Sequence, residues 1–374
     1  MLNSLYIKNY RNLKALKIDS VAQVNLITGK NNTGKSTILE AIAIYASRGD
    51  LYCILQLLKE RGEYFSQPEY SVGFSAPLLS SLFSGRIMDF SAGGSILIEG
   101  KIGNISHAAE PLPSKSVGLR FAKYVDELQK NEQGNNVVKG KYLSANECHA
   151  AEVGSKIKFE VTVDGHLAIS VDLDFPRYVS KSFSAETKFQ LIRTGSIDEE
   201  INGELFDSIA LTPKEQYVVD ALRIVEPHAE RIAFVKVENS PARSAVVRLS
   251  NATEVLPLKS MGDGINRILT IILALVNVEG GFLLVDEFEN GLHYSVQEKL
   301  WKIIFTLAKL LHVQVFVTTH SRDCISTFEK VANSSESSAT GKLIRLDNVN
   351  GSIRQVEFRP DELKIAGEQE IEIR

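Results

Sequence analysis

Residues 29–37, GKNNTGKST, constrain the fold more than any other stretch of the chain. They fit the pattern G-x-x-x-x-G-K-[ST], they follow the apolar run VNLIT, and they lead into KSTILEAIAIYAS, whose larger apolar residues share one helical face. A strand, a glycine loop and a helix in this order direct backbone N–H groups and the positive end of the helix towards phosphate oxygens. The sequence therefore predicts a phosphate-binding loop at the carboxyl end of a buried strand.

The side chains of this loop suit a nucleoside triphosphate and its metal ion. A lysine at this position reaches the β and γ phosphates, and the serine that follows it is a ligand of Mg²⁺. We predict ATP and Mg²⁺ as cofactors, Lys35 as a catalytic residue and Ser36 as a metal ligand. The predicted cofactor-binding residues of the loop are Gly29, Asn31, Asn32, Thr33, Gly34, Lys35, Ser36 and Thr37.

Two other apolar runs end in residues that can complete the chemistry. In FLLVDEFENGLH, residues 282–293, Asp286 can hold Mg²⁺ and Glu287 can polarise the attacking water. In VFVTTHS, residues 315–321, His320 can contact a γ phosphate or orient water, because open α/β sheets bind ligands at the carboxyl edge. We predict Glu287 and His320 as catalytic residues and Asp286 as a metal ligand. Taken alone, each could instead be an ordinary polar residue at a strand end.

A second glycine turn, KSMGDGINRIL at residues 259–269, opens another apolar helix. Its backbone N–H groups and the start of the helix are again suited to a phosphate. The alternative is a plain glycine-rich loop in which Asp263 caps the helix.

Continuous apolar strands alternate with helices in the second half of the chain, which indicates a parallel sheet covered on both faces. The middle of the chain has loops, glycines and short strands, with a clear hairpin, KIKFEVTV and HLAISVDL, joined by Asp-Gly. Residues 125–141 read as a solvated loop or short arm. We predict one discontinuous α/β domain with a core of residues 1–50 and 211–374 and an inserted β-rich and helical subdomain at about 51–210.

Composition narrows the function classes. Charged residues make up 24% of the chain and hydrophobic residues 44%, as in an ordinary globular protein. The net charge of −4 gives no global attraction to nucleic acid, so any such contact needs a local basic patch. The three cysteines have no metal-type spacing, the start MLNSLYIKNYRNLK is not a signal peptide, and residues 268–278 are too short to span a bilayer. We therefore predict a cytoplasmic protein with no membrane partner.

Together these motifs resemble the ATP-binding-cassette (ABC) class of P-loop ATPases, in particular its RecF/SMC branch and the overcoming-lysogenization-defect (OLD) family. The similar segments are LYIKNYRNL, the glycine-lysine-serine loop, the SMGDG turn, the aspartate-glutamate strand with ENGLH, and the histidine strand. They cover residues 1–50 and 245–325 well and residues 51–210 poorly. The resemblance implies an ABC-type core with an antiparallel β subdomain, in which Glu287 is the catalytic glutamate and His320 the switch histidine.

The resemblance also gives the second turn a role. In this class it is the signature turn, which reaches across a head-to-tail homodimer to the γ phosphate held by the partner's P-loop. It implies Ser260, Gly262 and Gly264 as cofactor-binding residues, and it places Arg11 and Asn12 of YRNL near the nucleotide base.

The function implied is an ATP-hydrolysing dimeric switch that acts as sensor or scaffold in an anti-phage defence system and controls a separate effector protein, for which a Toprim-type nuclease is the first candidate. OLD nucleases append a Toprim domain of about 100 residues or more, whereas residues 321–374 contain no glutamate followed by Asp-x-Asp, so a standalone ATPase is expected. The alternatives are a RecF/SMC-like ATPase of DNA maintenance, a transporter ATPase subunit and a nucleotide-gated scaffold without turnover. A higher oligomer and a nucleic-acid contact stay open.

Overall fold

The computed structural model describes residues 1–63, 74–103, 112–130, 136–143, 147, 154–174, 187–194, 199–236, 243–334 and 339–368. The strands are β1 (Leu2–Tyr10), β2 (Leu13–Ile18), β3 (Val24–Gly29), β4 (Ile96–Ile102), β5 (Ser114–Lys130), β6 (Asn136–Tyr142), β7 (Lys156–Val163), β8 (His166–Asp172), β9 (Phe189–Ile192), β10 (Ala229–Lys236), β11 (Arg243–Leu249), β12 (Val255–Pro257), β13 (Phe282–Val285), β14 (Gln314–Thr318), β15 (Gly341–Val349) and β16 (Ser352–Phe358). The helices are α1 (Lys35–Ala46), α2 (Leu51–Glu60), α3 (Ala76–Ser80), α4 (Glu199–Asp207), α5 (Lys214–Val225), α6 (Asp263–Asn277), α7 (Tyr294–Leu310), α8 (Arg322–Ala332) and α9 (Pro360–Glu368).

A six-stranded sheet forms the centre of the molecule, in the order β16-β15-β3-β14-β13-β9. All neighbours in it are parallel except β16, which runs antiparallel to β15. Strands β3, β13 and β14 are buried along their whole length, because apolar layers cover both faces of the sheet. Along β13, Leu283 and Val285 belong to one hydrophobic core and Leu284 to the other, as the alternation of a strand requires.

A second, antiparallel sheet runs β2-β1-β4-β5-β7-β8, with β6 paired to β5. Helix α1 contacts both this sheet and the parallel one. The helix is therefore buried on nearly all sides, and its residues from Thr37 to Ala46 are all buried. The predicted fold, a parallel sheet flanked by helices with an antiparallel β subdomain, is confirmed.

The strands of the middle segment do not form a sheet of their own. Strands β4, β5, β7 and β8 continue the sheet begun by β1 and β2, and β9 joins the parallel sheet beside β13. The boundaries of an insertion at about residues 51–210 stay a prediction.

The predicted hairpin is confirmed as β7 and β8, joined by Asp164 and Gly165, which both have positive φ as a two-residue turn of this kind needs. Of the two alternatives predicted for residues 125–141, a solvated loop or a short arm, the loop was wrong for the described part. There, β5 and β6 pair from Tyr124 opposite Tyr142 to Lys130 opposite Asn136. Among the described residues, no helix combines the length and apolar character needed to cross a membrane.

Candidate nucleotide-binding site

The loop between β3 and α1 lies at the carboxyl edge of the parallel sheet. The Lys35 ammonium donates to the carbonyl oxygens of Gly29, at 2.7 Å, and of Lys30, at 3.0 Å, so it lies across the mouth of the loop. Burial lowers the pKa of Lys35, and the nearby carboxylates of Asp286 and Glu287 partly oppose that shift. Within the described residues, this cation therefore faces an acidic strand edge without a direct ion pair.

Two glycines of the loop have backbone conformations and close neighbours that disfavour a side chain. Gly29 has φ of 142°, and a Cβ there would lie 2.5 Å from the Leu346 carbonyl oxygen. Gly34 has φ of 91°, and its Cβ would meet the Leu13 side chain at 2.8 Å. Both values of φ disfavour L side chains, so the sequence pattern of the loop reflects its geometry.

A hydroxyl and a carboxylate meet where β3 and β13 end. Ser36 Oγ donates to Asp286 Oδ1 at 2.9 Å, and Thr318 Oγ1 donates to the same oxygen at 2.6 Å. A serine hydroxyl beside a carboxylate offers the hard oxygen ligands that Mg²⁺ prefers. Among the described residues, no group of three or more His, Cys, Asp or Glu is arranged as a metal cage. Such a pair therefore fits an ion whose remaining ligands are phosphate oxygens and waters.

Glu287 follows in a left-handed backbone conformation, with φ of 47°. Its N–H donates to Thr318 Oγ1 at 2.8 Å, so the threonine that bonds Asp286 also fixes the next peptide. Non-glycine residues in this conformation persist only where their surroundings hold them. The glutamate side chain lines the cleft beside the loop.

His320 is held by a carboxylate that the sequence pattern did not single out. Glu289 Oε1 lies 3.1 Å from His320 Nδ1 and accepts from the His320 N–H at 2.9 Å, while its Oε2 accepts from Thr319 Oγ1 at 2.8 Å. The imidazole is 55% exposed and the carboxylate 13%. Glu289 therefore orients a histidine whose other nitrogen remains at the surface.

The loop opens into a cleft of about 810 Å³. The residues predicted from the sequence that line this cleft are Arg11, Asn12, Asn31, Asn32, Gly34, Lys35, Ser36, Thr37, Asp286 and Glu287. Gly29 and Thr33 belong to the same loop but do not line the cleft, and neither does His320. The position of Arg61 on the cleft wall was not predicted from the sequence.

Asn12 and Arg11 have different surroundings. Asn12 Nδ2 donates to the Asn32 carbonyl at 3.3 Å and so supports the loop from outside. The Arg11 guanidinium is already engaged, by Glu40 at 3.0 Å and by Glu63 at 3.0 Å. A contact of either residue with a nucleotide base stays a prediction.

Behind the cleft, the fully buried carboxylate of Glu40 forms ion pairs with three arginines. Glu40 of α1 bonds Arg11 at 3.0 Å, Arg61 at 2.7 Å and Arg193 at 2.9 Å, and it accepts from the Tyr10 hydroxyl at 3.2 Å. Burial alone would raise the pKa of Glu40, but the three guanidinium groups outweigh it and the pKa is lowered. This cluster joins the P-loop helix to the ends of β1, α2 and β9. Sequence patterns could not reveal it, because its members are far apart along the chain.

We expect Glu40→Gln to lower the free energy of unfolding at pH 7 by about 3–5 kcal/mol, because it removes the fully buried counter-charge that three guanidinium groups share. Since the folded pKa of Glu40 is lowered, its contribution is present above its ordinary value of 4.5 and is lost as the pH falls further. The gap between variant and wild type, measured by urea unfolding, should therefore narrow below pH 4.5. Glu60→Gln is the matched control: it contacts the same Arg193 but is 44% exposed, and should cost less than about 1 kcal/mol. Equal losses for the two variants would contradict this account.

The second glycine turn lies apart from the cleft. A short 3-10 helix, Leu258–Met261, precedes α6, and Ser260 Oγ donates to the Pro257 carbonyl at 2.7 Å. Gly262 has φ of 103°, and a Cβ there would meet nothing within 4 Å. Gly264 is closer to its neighbours, with a Cβ position 3.1 Å from the Gly291 carbonyl. None of the three predicted residues of this turn lines the cleft that contains Lys35.

A glycine-lysine-serine loop at the carboxyl edge of this sheet, with an acidic strand end beside it, defines an ABC-like P-loop ATPase. Residues 1–68 and 162–325 match the family described as the AAA ATPase domain, AAA_15. The chain belongs to that family and is an ATP hydrolase.

The chain is also similar to individual proteins. The chain is 23% identical to an ATP/GTP phosphatase of Helicobacter pylori over 379 residues, which covers 92% of each sequence. It is 36% identical over 77 residues to an uncharacterized protein of Methanocaldococcus jannaschii, covering 19% of this chain and 35% of that one.

Two solved structures share the fold at 12% sequence identity. An SMC head bound to the C-winged helix domain of ScpA matches with a TM-score of 0.53, covering 96% of this chain and 97% of that one. An SMC head from Pyrococcus furiosus with an extended coiled coil, bound to the C-terminal domain of ScpA, matches with a TM-score of 0.52 and covers 99% of both. At this level of identity the similarity shows the fold alone.

Proposed function

We propose that the chain works as a homodimeric switch, closed by ATP and opened by hydrolysis. The observation that carries this proposal is the separation of the two phosphate-seeking turns. Lys35 lies in the cleft, whereas Gly262 opens onto free space outside it. A signature turn that does not reach its own chain's nucleotide is suited to the nucleotide of a second copy, which gives a composite site with Ser260, Gly262 and Gly264 supplied in trans.

Within each site the residues take complementary roles. The P-loop N–H groups and Lys35 bind the β and γ phosphates, while Ser36 and Asp286 hold Mg²⁺. When bound, Mg²⁺ neutralises the charge that develops on the phosphate oxygens. Glu287 polarises the attacking water, and His320, oriented by Glu289, contacts the γ phosphate. The relative described as an ATP/GTP phosphatase makes GTP a second nucleotide to assay.

We propose further that this switch is an OLD-like, cytoplasmic sensor or scaffold in an anti-phage defence system. The sites described account for holding and hydrolysing a nucleotide, and a separate effector, with a Toprim-type nuclease as first candidate, would carry out the damage. A RecF/SMC-like role in DNA maintenance is the second candidate, and the fold shared with SMC heads is compatible with it. We propose the chain to be a single discontinuous domain with an insertion at about residues 51–210. This insertion is the candidate surface for binding an effector, because extra segments on a rigid scaffold tend to carry recognition.

If a separate effector cleaves nucleic acid, the purified chain alone should not do so. The test incubates the chain with ATP, Mg²⁺ or Mn²⁺, and single- and double-stranded DNA and RNA, and follows cleavage on gels. The control is Lys35→Ala, in which nucleotide binding is removed. Cleavage that persists in Lys35→Ala after repurification would identify a nuclease within this chain and overturn the need for a separate effector.

A further inference from the structure

Arg267 is a buried cation that the function proposed so far does not use. It lies in the second turn of α6, directly after the signature turn, and is 3% exposed. Its hydrogen-bond partners among the described residues are main-chain carbonyls: Nη1 donates to Arg193 O at 2.7 Å, and Nη2 donates to Asp286 O at 3.0 Å and reaches Glu287 O at 3.5 Å. Its Nε is buried without a partner in the described part of the chain.

Such a residue is costly as a purely structural element. Burial lowers the pKa of Arg267, and the carboxylates of Asp286, Glu287 and Glu289 offset this only in part. A buried guanidinium without a direct carboxylate partner is disfavoured relative to an apolar side chain of similar volume. Burial of Arg267 against the acidic end of β13, at Asp286 and Glu287, therefore suggests a functional role.

The carbonyls that Arg267 contacts belong to the peptides around the proposed water-polarising carboxylate. Glu287 has the left-handed φ described above, and Thr318 holds its N–H. Arg267 contacts the other side of the same residue, its carbonyl, and the carbonyl just before it. The strained backbone is thus fixed at both ends, by β14 through Thr318 and by α6 through Arg267.

Helix α6 begins at the signature turn, so Arg267 also connects that turn to the acidic strand end. The turn lies against the loop after Glu287, since a Cβ on Gly264 would lie 3.1 Å from the Gly291 carbonyl. A displacement of α6 when a phosphate binds at the turn would carry the guanidinium with it and move the two carbonyls. Gly264, the last residue of the turn, is three positions before Arg267 in the same helix. Rigid secondary elements carry coupling between sites, and no flexible joint lies between the turn and this contact.

We propose that Arg267 is a positioning residue that couples the signature turn to Glu287 of the same chain. In the head-to-tail dimer these two features belong to different composite sites. Phosphate bound at the signature turn, at one site, therefore sets the carboxylate that polarises water at the other. This inference rests on the proposed function, because it needs Glu287 as the water-polarising group and the turn acting in trans.

The test compares Arg267→Met and Arg267→Lys in the wild-type and Glu287→Gln backgrounds. In the wild-type background, Arg267→Met is expected to lower kcat about 10²-fold, because misplacing a catalytic group has that order of effect, with nucleotide Kd changed less than about threefold. In the Glu287→Gln background the same substitution should change the residual rate less than about threefold, because residues that act as a unit are not additive. Arg267→Lys keeps the positive charge but lacks the planar guanidinium with its several N–H donors. It should fold and have a kcat between those of Arg267→Met and the wild type.

The control is Thr270→Val on the same helix. Thr270 is buried, and its hydroxyl accepts from Asn202 Nδ2 at 2.9 Å and donates to Asn266 O at 2.9 Å; among the described residues it has no hydrogen bond to Asp286, Glu287 or Glu289. The Thr270→Val variant should have a lower melting temperature than the wild type and a kcat within about twofold of the wild-type value. If Thr270→Val lowers kcat as much as Arg267→Lys does, or if Arg267→Lys costs the same factor in both backgrounds, Arg267 acts through general stability and the inference fails.

Coupling has a separate readout in the dependence of the rate on ATP. The wild type should show a Hill coefficient above 1, bounded by the two sites, and Arg267→Met should lower it. A hyperbolic wild type, or a Hill coefficient of Arg267→Met equal to that of the wild type, overturns the coupling. Failure of the proposed function has a different signature: Glu287→Gln would then hydrolyse ATP at the wild-type rate, whatever stands at position 267.

Discussion

Glu287→Gln is expected to lower kcat for ATP hydrolysis by about 10²- to 10⁴-fold, because the amide cannot accept a proton from the attacking water. Binding of ATP and Mg²⁺ should stay within a few-fold, since Lys35, Ser36 and Asp286 are unchanged. Phosphate release measured at saturating ATP gives kcat, and titration with a fluorescent nucleotide gives the affinity.

The matched control for this substitution is Glu298→Gln on α7. It makes the same chemical change at a carboxylate that pairs with Lys302 and Lys330, outside the cleft. Its kcat should equal that of the wild type. If Glu287→Gln is as active as Glu298→Gln, another group polarises the water and the role assigned to Glu287 is wrong.

Gly262→Glu is expected to abolish hydrolysis, with a loss of about 10²-fold or more, while each chain still binds ATP. A bulky anion at the signature turn repels the γ phosphate and removes the close approach of the backbone N–H groups, and losing one such donor commonly costs that factor. Since a Cβ at this position meets nothing within 4 Å, the side chain has room in the free chain.

The backbone at Gly262 needs its own control, because its φ of 103° disfavours every L side chain. Gly262→Ala introduces the same strain without bulk or charge, so the difference between the two variants measures the effect on the phosphate. Size-exclusion chromatography with ATP should show dimer closure for Gly262→Ala and not for Gly262→Glu. Equal activity of the two variants would mean that the turn does not face a phosphate.

The local part of the site was readable from the sequence. Asp286 and His320 come at the ends of apolar strands, and Lys35 ends the glycine loop that follows a third strand, so all three could be placed at one sheet edge from the order of strands and motifs. The structure brings Ser36 and Asp286 into hydrogen-bond contact, as a shared metal site requires. Their roles in binding and catalysis stay predictions.

The supporting contacts were not readable, for a physical reason. Arg267 sits in a helix that reads as largely apolar, and its partners are backbone carbonyls, which leave no trace in residue identity. Thr318 looks like any β-branched strand residue until its hydroxyl is seen between Asp286 and Glu287. Glu40 faces inward from the P-loop helix because three arginines meet it there, a long-range arrangement that helical periodicity cannot encode.

The strand pairing in the middle of the chain could not be predicted from the sequence, for a related reason. The end of β5 is rich in charged residues because it lies at the surface, so it reads as a loop although β6 pairs with it. Strand β9 has only four residues and no distinguishing composition, yet it borders β13 in the central sheet. Strand partners far apart in sequence are set by the whole fold, and a single sequence carries no record of them.

The central claim is that each active site is shared between two chains, and mixing two inactive variants tests it most directly. Lys35→Ala lacks a working P-loop and Gly262→Glu lacks a working signature turn, so neither should hydrolyse ATP alone. In a mixed dimer, one composite site carries both defects and the other carries neither. With independent sites, an equimolar mixture should recover up to about a quarter of the wild-type rate, since half of its dimers are mixed and half of their sites intact. Coupling through Arg267 would lower this rate, because the intact site takes its Glu287 from the chain whose own signature turn is defective. ATP release is therefore measured as well, and it should be slower from mixed dimers than from Gly262→Glu alone, because the partner's intact turn covers the γ phosphate. If differently tagged chains are shown to form mixed dimers and neither the rate nor ATP release differs from that of the separate variants, the signature turn does not act in trans.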